Sequence, residues 1–267
     1  MSADLHETLA HELREAEARR VAIAPLGERF PELTTADAYR IQQLNVHHHK
    51  SEGVRVLGRK VGLTSRAMQK ALGVDEPDFG ALLSTMFVEE GEDVELDALL
   101  QPRVEAEIAF VMERELRGPG VTTAAALTAI AGALPALEVI DSRIADWRIA
   151  LVDTIADNAS SARVVLGGRL VPLVGLDLRL EGMALSLNGA PAATGAGAAV
   201  LGHPARCVAW LANKLAEFDV PLRVGDVVLA GALHAALPVG AGDVVRAEFA
   251  HLGAVTARFT TNKGEQR

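Results

Sequence analysis

No part of this chain alternates strands and helices at a regular spacing, which argues against a parallel, doubly wound sheet. The C-terminal third is instead a succession of short apolar runs cut by turn residues. Residues 183–187 run into Asn188-Gly189, a pair that suits a two-residue hairpin turn. Residues 223–229 and 240–246 each place a Gly-Asp turn before an apolar strand, and residues 255–259 supply one more. From Leu83 onward the reading is of short strands. Helical patterning is concentrated earlier. Leu5, Leu9 and Leu13 mark a helix over residues 4–20, and a second starts near Thr35, capped by Thr34 or Thr35. Residues 54–63 read as a strand interrupted by glycine, after which Ser65 caps a short helix containing Met68 and Leu72. Residues 204–218 form one late helix with the stripe Val208, Leu211, Leu215 and Phe218. The sequence predicts an α+β fold. N-terminal helices over residues 1–52 precede a mainly antiparallel β-rich domain over 53–267, and the two can count as a single domain.

The uncharged stretch 121–137 is rich in Ala and Thr and contains Gly132 and Pro135, so it reads as a short helix and a buried strand rather than a bilayer span. The N-terminus is charged and amphipathic, unlike a signal peptide or anchor. A net charge of −9 and few aromatics disfavour nucleic-acid binding, and no polybasic segment suits a membrane surface. The single cysteine, Cys207, excludes an internal disulfide and a cysteine zinc site, which fits a reducing, cytoplasmic setting.

The segment Pro102-Arg103-Val104-Glu105-Ala106-Glu107-Ile108 carries the sharpest chemical signal. On a strand, Glu105 and Glu107 share one face while Val104, Ala106 and Ile108 share the other. Two neighbouring carboxylates in apolar surroundings repel and lose hydration, and a divalent cation removes both costs. Glu138 lies in a similar apolar frame, far enough downstream for a helix and a return strand. Three carboxylates make an oxygen-only site, suited to Mg²⁺ or Mn²⁺ rather than Zn²⁺ or Cu²⁺. The same alternation also describes a solvent-facing strand edge.

Lys60, between Gly58 and Gly62, reads either as a partner for a substrate carboxylate or enolate oxygen or as a solvated strand end. Asp78, in Glu76-Pro77-Asp78-Phe79-Gly80, reads as a general base or an Asx-type turn. The run 157–161 offers side chains for a carboxylate or water, or for capping local backbone. The adjacent His47, His48 and His49 fan around a helix and read as surface. Residues 195–199 lack the third glycine of a dinucleotide fingerprint and read as a tight turn. Cys207 reads as buried and inert. His203, His234 and His251 fall in loops or at strand ends; His234 reads as a site wall or a structural residue.

Taken together, residues 58–65, 73–80, 101–107, 136–143, 156–160 and 209–213 resemble the 2-oxopent-4-enoate (2-hydroxypenta-2,4-dienoate) hydratases of the fumarylacetoacetate hydrolase superfamily. The resemblance spans roughly residues 20–260. It implies a β-rich roll with N-terminal helices and Mg²⁺ or Mn²⁺ held by Glu105, Glu107 and Glu138. It also implies that Lys60 and Asp78 are catalytic and that Ser160 and Lys60 contact substrate. The implied activity is hydration of 2-hydroxypenta-2,4-dienoate in meta-cleavage degradation of aromatics. The implied assembly is a homo-oligomer, a pentamer or decamer, able to dock with a pathway decarboxylase or aldolase. The same motifs occur in 4-oxalocrotonate decarboxylases and in hydratases of a longer 2-oxo-diacid. A catalytically silent oligomeric binding partner is the non-enzymatic alternative. A diacid substrate calls for a cation at its far carboxylate, with Arg143, Arg148 and Arg163 as candidates.

Overall fold

Alternating residues put carboxylates and apolar side chains on opposite faces of one strand, and that strand lies in the middle of the molecule. The computed structural model describes residues 2–261. Its helices are α1 (Ala3–Arg19), α2 (Leu26–Arg29), α3 (Thr35–Ser51), α4 (Arg66–Leu72), α5 (Thr123–Ala129), α6 (Leu151–Ala156) and α7 (Pro204–Leu215). The strands are β1 (Val56–Gly62), β2 (Asp78–Leu83), β3 (Phe87–Val88), β4 (Asp93–Glu95), β5 (Arg103–Met112), β6 (Ile130–Ile140), β7 (Ser161–Leu166), β8 (Gly182–Leu187), β9 (Ala190–Ala196), β10 (Val227–Ala232), β11 (Leu237–Pro238), β12 (Val244–Phe249) and β13 (Gly253–Thr260).

An eight-stranded sheet has the order β2-β1-β10-β5-β6-β7-β3, with β11 also pairing with β5. A five-stranded sheet has the order β4-β13-β12-β8-β9. Antiparallel pairs predominate, but β1 with β10, β3 with β7 and β4 with β13 run parallel. The α+β reading therefore holds. Short strands dominate after Leu83 as read, with β5 at 10 residues and β6 at 11 as the two long exceptions. These two are buried nearly throughout, so their period-2 signal is weaker than that of a strand with one wet face.

Local chemistry sets the element ends. Thr34 and Asp37 form a reciprocal capping box at the start of α3, while Ser65 caps α4. Asn188 and Gly189, both at positive φ, turn β8 into β9. The Asn188 side chain then bridges to Asp243 and to the Val244 N–H. The uncharged stretch becomes α5 followed by β6, as its composition suggests. Helices α1, α3 and α6 stack in succession, α6 meets β2, α7 covers β10, and β12 and β13 pack on β6. One apolar cluster runs from Leu9 and Ile41 through Val104, Ala106 and Ile108 to Phe259. A smaller cluster of Leu82, Ala109, Leu134, Ala136, Val164 and Leu229 lies on the face of the large sheet that carries the glutamates.

Candidate metal centre and active site

Antiparallel pairing of β5 with β6 sets Glu105 directly opposite Glu138. Directly paired residues share a face, and so do residues two apart, so Glu105, Glu107 and Glu138 converge. One carboxylate oxygen from each lies within 4.8 Å of the other two. Glu107 is 1% exposed and Glu138 0%, whereas Glu105 is only partly buried. A solvent-facing strand edge is therefore the wrong description of these residues.

β1 brings in Lys60, which is 4% exposed. Its Nζ lies 3.2 Å from Glu138 Oε2 and donates to the Ala159 carbonyl at 2.9 Å. Asp78 opens β2, opposite Gly62. It is 1% exposed, so it is not the Asx-type turn that its Pro-Asp context suggests. The Thr154 hydroxyl donates to its Oδ2 at 3.1 Å. Gly62 is required for this fit, because a Cβ there would lie 2.1 Å from Asp78 Oδ1. Asn158, Ala159 and Ser160 all adopt left-handed backbone conformations, with φ of 54°, 51° and 54°. That run aims the Ala159 carbonyl at Lys60 and is followed by β7.

Five buried side-chain atoms test whether a cation fits. Glu138 Oε1 and Oε2, Asp78 Oδ1, Ser160 Oγ and Ser161 Oγ have no hydrogen bond among the described residues, and Glu138 Oε2 has only the Lys60 ammonium as an ionic neighbour. Buried polar atoms are rarely left without a partner, and unpartnered Glu138 oxygens within a cluster of three carboxylates fit an oxygen-ligated divalent ion. Lost hydration pushes the Glu105 carboxyl up to about 7 against the pull of Lys60. Lost hydration, together with Glu138 and Glu105, raises Glu107 as well. Burial also raises Asp78. Burial alone would lower Lys60, but Glu138, Glu105, Asp78 and Glu107 outweigh it and keep the ammonium charged. Glu107 has one fixed partner, the Gly231 N–H, which donates to its Oε2 at 2.7 Å.

Other sequence candidates take structural roles. Arg143 is fully engaged, bonding Asp157 through Nε at 2.5 Å and the Asp141 and Asp157 carbonyls through its other nitrogens. Arg148 is exposed beside Glu28. Arg163 pairs with Val139 and so lies on the sheet face opposite Glu138. Asn158 does not cap local backbone; its amide bonds both the N–H and the C=O of Ala81 on β2. His203 caps α7, and His251 bonds the buried Glu181. Cys207 is buried, and burial raises its thiol, in keeping with an inert residue. Of the adjacent histidines, His47 is exposed, while His48 and His49 are half-buried. Residues 195–196 finish β9, and the tight turn occupies 197–199. Thr154 and the Gly231 amide carry no distinctive sequence signal, since each acts through a single long-range contact.

The fumarylacetoacetate (FAA) hydrolase C-terminal family model matches residues 41–260. The chain belongs to the fumarylacetoacetate hydrolase family. Within that family it is 46% identical over 263 residues to a 2-keto-4-pentenoate hydratase of Paraburkholderia xenovorans, covering 98% of each chain. It is 49% identical over 253 residues to a 2-keto-4-pentenoate hydratase of Burkholderia vietnamiensis, covering 95% of this chain and 97% of the relative. A solved fumarylacetoacetate hydrolase relative, 4-oxalocrotonate decarboxylase from Pseudomonas putida G7 complexed with magnesium and adipate, superposes with a TM-score of 0.94 at 38% identity. That match covers 97% of this chain and 98% of the decarboxylase. Magnesium in that relative agrees with the oxygen-rich donor set here.

Proposed function

We propose that this chain is a divalent-metal-dependent hydro-lyase that adds water to 2-hydroxypenta-2,4-dienoate (2-keto-4-pentenoate) and forms 4-hydroxy-2-oxopentanoate. The observation that carries the reading is the buried convergence of Glu105, Glu107 and Glu138 beside Lys60 and Asp78. Near-full-length similarity to hydratases directs that site towards hydration.

Glu105, Glu107 and Glu138 would hold Mg²⁺ or Mn²⁺. The ion supplies Lewis-acid polarisation of the 2-oxo acid's oxygens. The reaction begins as the 2-hydroxyl of the dienol loses its proton and C5 gains one, which leaves a C3–C4 double bond conjugated to the ketone. Water then adds its hydroxyl at C4, and a proton reaches C3. Negative charge develops on the 2-oxygen in both stages, and the Lys60 ammonium offsets it. Asp78 Oδ1, free of protein partners while Thr154 fixes Oδ2, is the atom that moves protons. The unpartnered Ser160 hydroxyl contacts substrate.

Arg103 favours a second reading, decarboxylation of 4-oxalocrotonate or hydration of a longer 2-oxo-diacid. It shares the β5 face with Glu105 and stacks over Trp147, with its guanidinium carbon 4.6 Å from the ring centroid. A cation there suits the far carboxylate of a diacid. The pathway is meta-cleavage degradation of aromatics, and the working form is a cytoplasmic homo-oligomer, a pentamer or decamer, able to dock with a pathway decarboxylase or aldolase. Among the described residues no helix is long and apolar enough to cross a membrane.

The deciding experiment supplies Mg²⁺ with equimolar 2-hydroxypenta-2,4-dienoate and 2-oxo-3-hexenedioate and identifies products by NMR, with an EDTA control. Mg²⁺-dependent formation of 4-hydroxy-2-oxopentanoate with the diacid untouched supports the hydratase. Loss of the diacid with CO₂ release instead assigns the decarboxylase. No Mg²⁺-dependent product from either acid rejects the five-carbon hydratase and the decarboxylase, and leaves the hydratase of a longer 2-oxo-diacid and the silent oligomeric partner.

A further inference from the structure

The hydrogen-bond ladder along β5 has a gap, and the gap falls on the glutamate strand. β10 pairs with β5 up to Ala232 opposite Glu107, with a register shift after Leu229. β11 resumes the pairing at Leu237 opposite Val104. Ala106 lies between these two stretches, flanked by Glu105 and Glu107. Its peptide edge faces residues 233–236, where no strand runs. Two substitutes fill the space. The Leu233 N–H donates to the Ala106 carbonyl at 3.0 Å. The Ala106 N–H donates to His234 Nε2 at 2.9 Å. The other ring nitrogen, Nδ1, lies 2.7 Å from the Ala235 carbonyl, which fixes Nδ1 as the protonated nitrogen and leaves Nε2 as an acceptor. Just before residues 233–236, the end of β10 contributes the Gly231 N–H to the Glu107 carboxylate. Gly231 reaches that position at φ 113°, where a Cβ would lie 2.3 Å from the Thr64 hydroxyl oxygen.

We propose that His234 is a positioning residue for the metal site: its imidazole replaces the missing strand acceptor at Ala106 and so fixes the spacing of Glu105 and Glu107. This rests on the metal-site reading given above. The physical reason is rigidity. Two ligands on one strand keep their separation only if the peptide between them is held, and side chains that orient ligands commonly govern metal affinity about 10- to 100-fold. His234 is neither a ligand nor a proton carrier in this role. It acts on the backbone, so an uncharged acceptor of similar reach should replace it.

The test measures Mn²⁺ binding to the otherwise intact protein at pH 8 by electron paramagnetic resonance and calorimetry, with thermal unfolding recorded in parallel. His234→Ala is expected to bind Mn²⁺ about 10-fold more weakly, with a broadened bound-ion spectrum. His234→Gln, which restores an acceptor, is expected to regain most of the affinity and the sharper spectrum. An affinity for His234→Ala within twofold of the parent overturns the proposal. A loss that His234→Gln fails to repair, with its unfolding midpoint unchanged, also overturns it. If His234→Ala fails to fold, His234→Gln alone decides, since parent-like affinity supports the role and a tenfold loss rejects it. Absence of Mn²⁺ binding by the parent protein, or retention of full affinity by Glu107→Gln, is a separate result. Either one rejects the metal-site reading itself.

Discussion

The two sheets of this protein treat charge in opposite ways. In the five-stranded sheet, β12 alternates strictly: Val245, Ala247 and Phe249 are buried, while Val244, Arg246 and Glu248 face outward. Its charged residues sit in water, and Arg246 reaches Glu248 across solvent-exposed surface. In the eight-stranded sheet, β5 and β6 carry Glu107 and Glu138 in the interior, with both Glu138 oxygens lacking hydrogen bonds. The first arrangement follows the rules for a stable sheet. The second breaks them where three carboxylates share one ammonium, and an imbalance of that kind is justified by a ligand rather than by folding.

That contrast can be broken most severely at the glutamates. Glu107→Gln removes a carboxylate from a mutually repelling group, so metal-dependent turnover should fall by at least about 10³-fold while the unfolding midpoint holds or rises. Steady-state kinetics with added Mg²⁺ and a thermal melt check the two halves together. In the other sheet, Phe259 is fully buried, and Phe259→Ala should cost about 3–5 kcal/mol of stability. Chemical denaturation measures that loss, and turnover per folded molecule should stay near that of the parent. Lys60→Met should slow turnover about 100-fold with the metal still bound, a separation that kinetics and calorimetry can read.

Proton linkage sharpens the contrast further. Glu105 must ionise to act as a ligand, and in the metal-free protein its carboxyl is raised to about 7. Mg²⁺ affinity should therefore climb with pH through about 7, and binding below that pH should release a proton, visible by calorimetry in buffers of different ionisation enthalpy. The sign for folding is the reverse. The unfolded carboxyl ionises near 4.5 while the folded one keeps its proton until about 7. Metal-free stability should thus decline as pH rises across that interval. The smallest effect belongs to the outer face of β12. Arg246→Ala should change stability by no more than about 0.5 kcal/mol and leave turnover untouched.

The sequence makes the α+β plan, the hairpin at Asn188-Gly189, a cap at Thr34 or Thr35, the cap at Ser65 and the helix from Pro204 legible, because each depends on neighbours within a few residues. The shared face of Glu105 and Glu107 is legible for the same reason: strand geometry alone dictates it. The approach of Glu138 needs only a return strand. Other features depend on partners distant in the chain. Asp78 looks like a turn residue locally, and only the pairing of β2 with β1 buries it beneath Gly62. Arg143 looks free in sequence, yet Asp157 and two carbonyls occupy its guanidinium. The gap in the β5 ladder appears only when β10 and β11 are both placed against it.

The run of left-handed residues at Asn158, Ala159 and Ser160 has a bearing on how such a protein evolves. L-residues disfavour that conformation by roughly 1–2 kcal/mol each, so glycine suits the backbone at all three positions. At position 158 glycine would discard the amide that clamps Ala81, and at 160 it would discard the buried hydroxyl proposed to contact substrate. Position 159 contributes only a methyl group and a carbonyl, and glycine keeps the carbonyl. Selection therefore acts in opposed directions on adjacent codons. Drift towards glycine is open at the middle position and closed on either side, and a random library across this segment should recover that pattern.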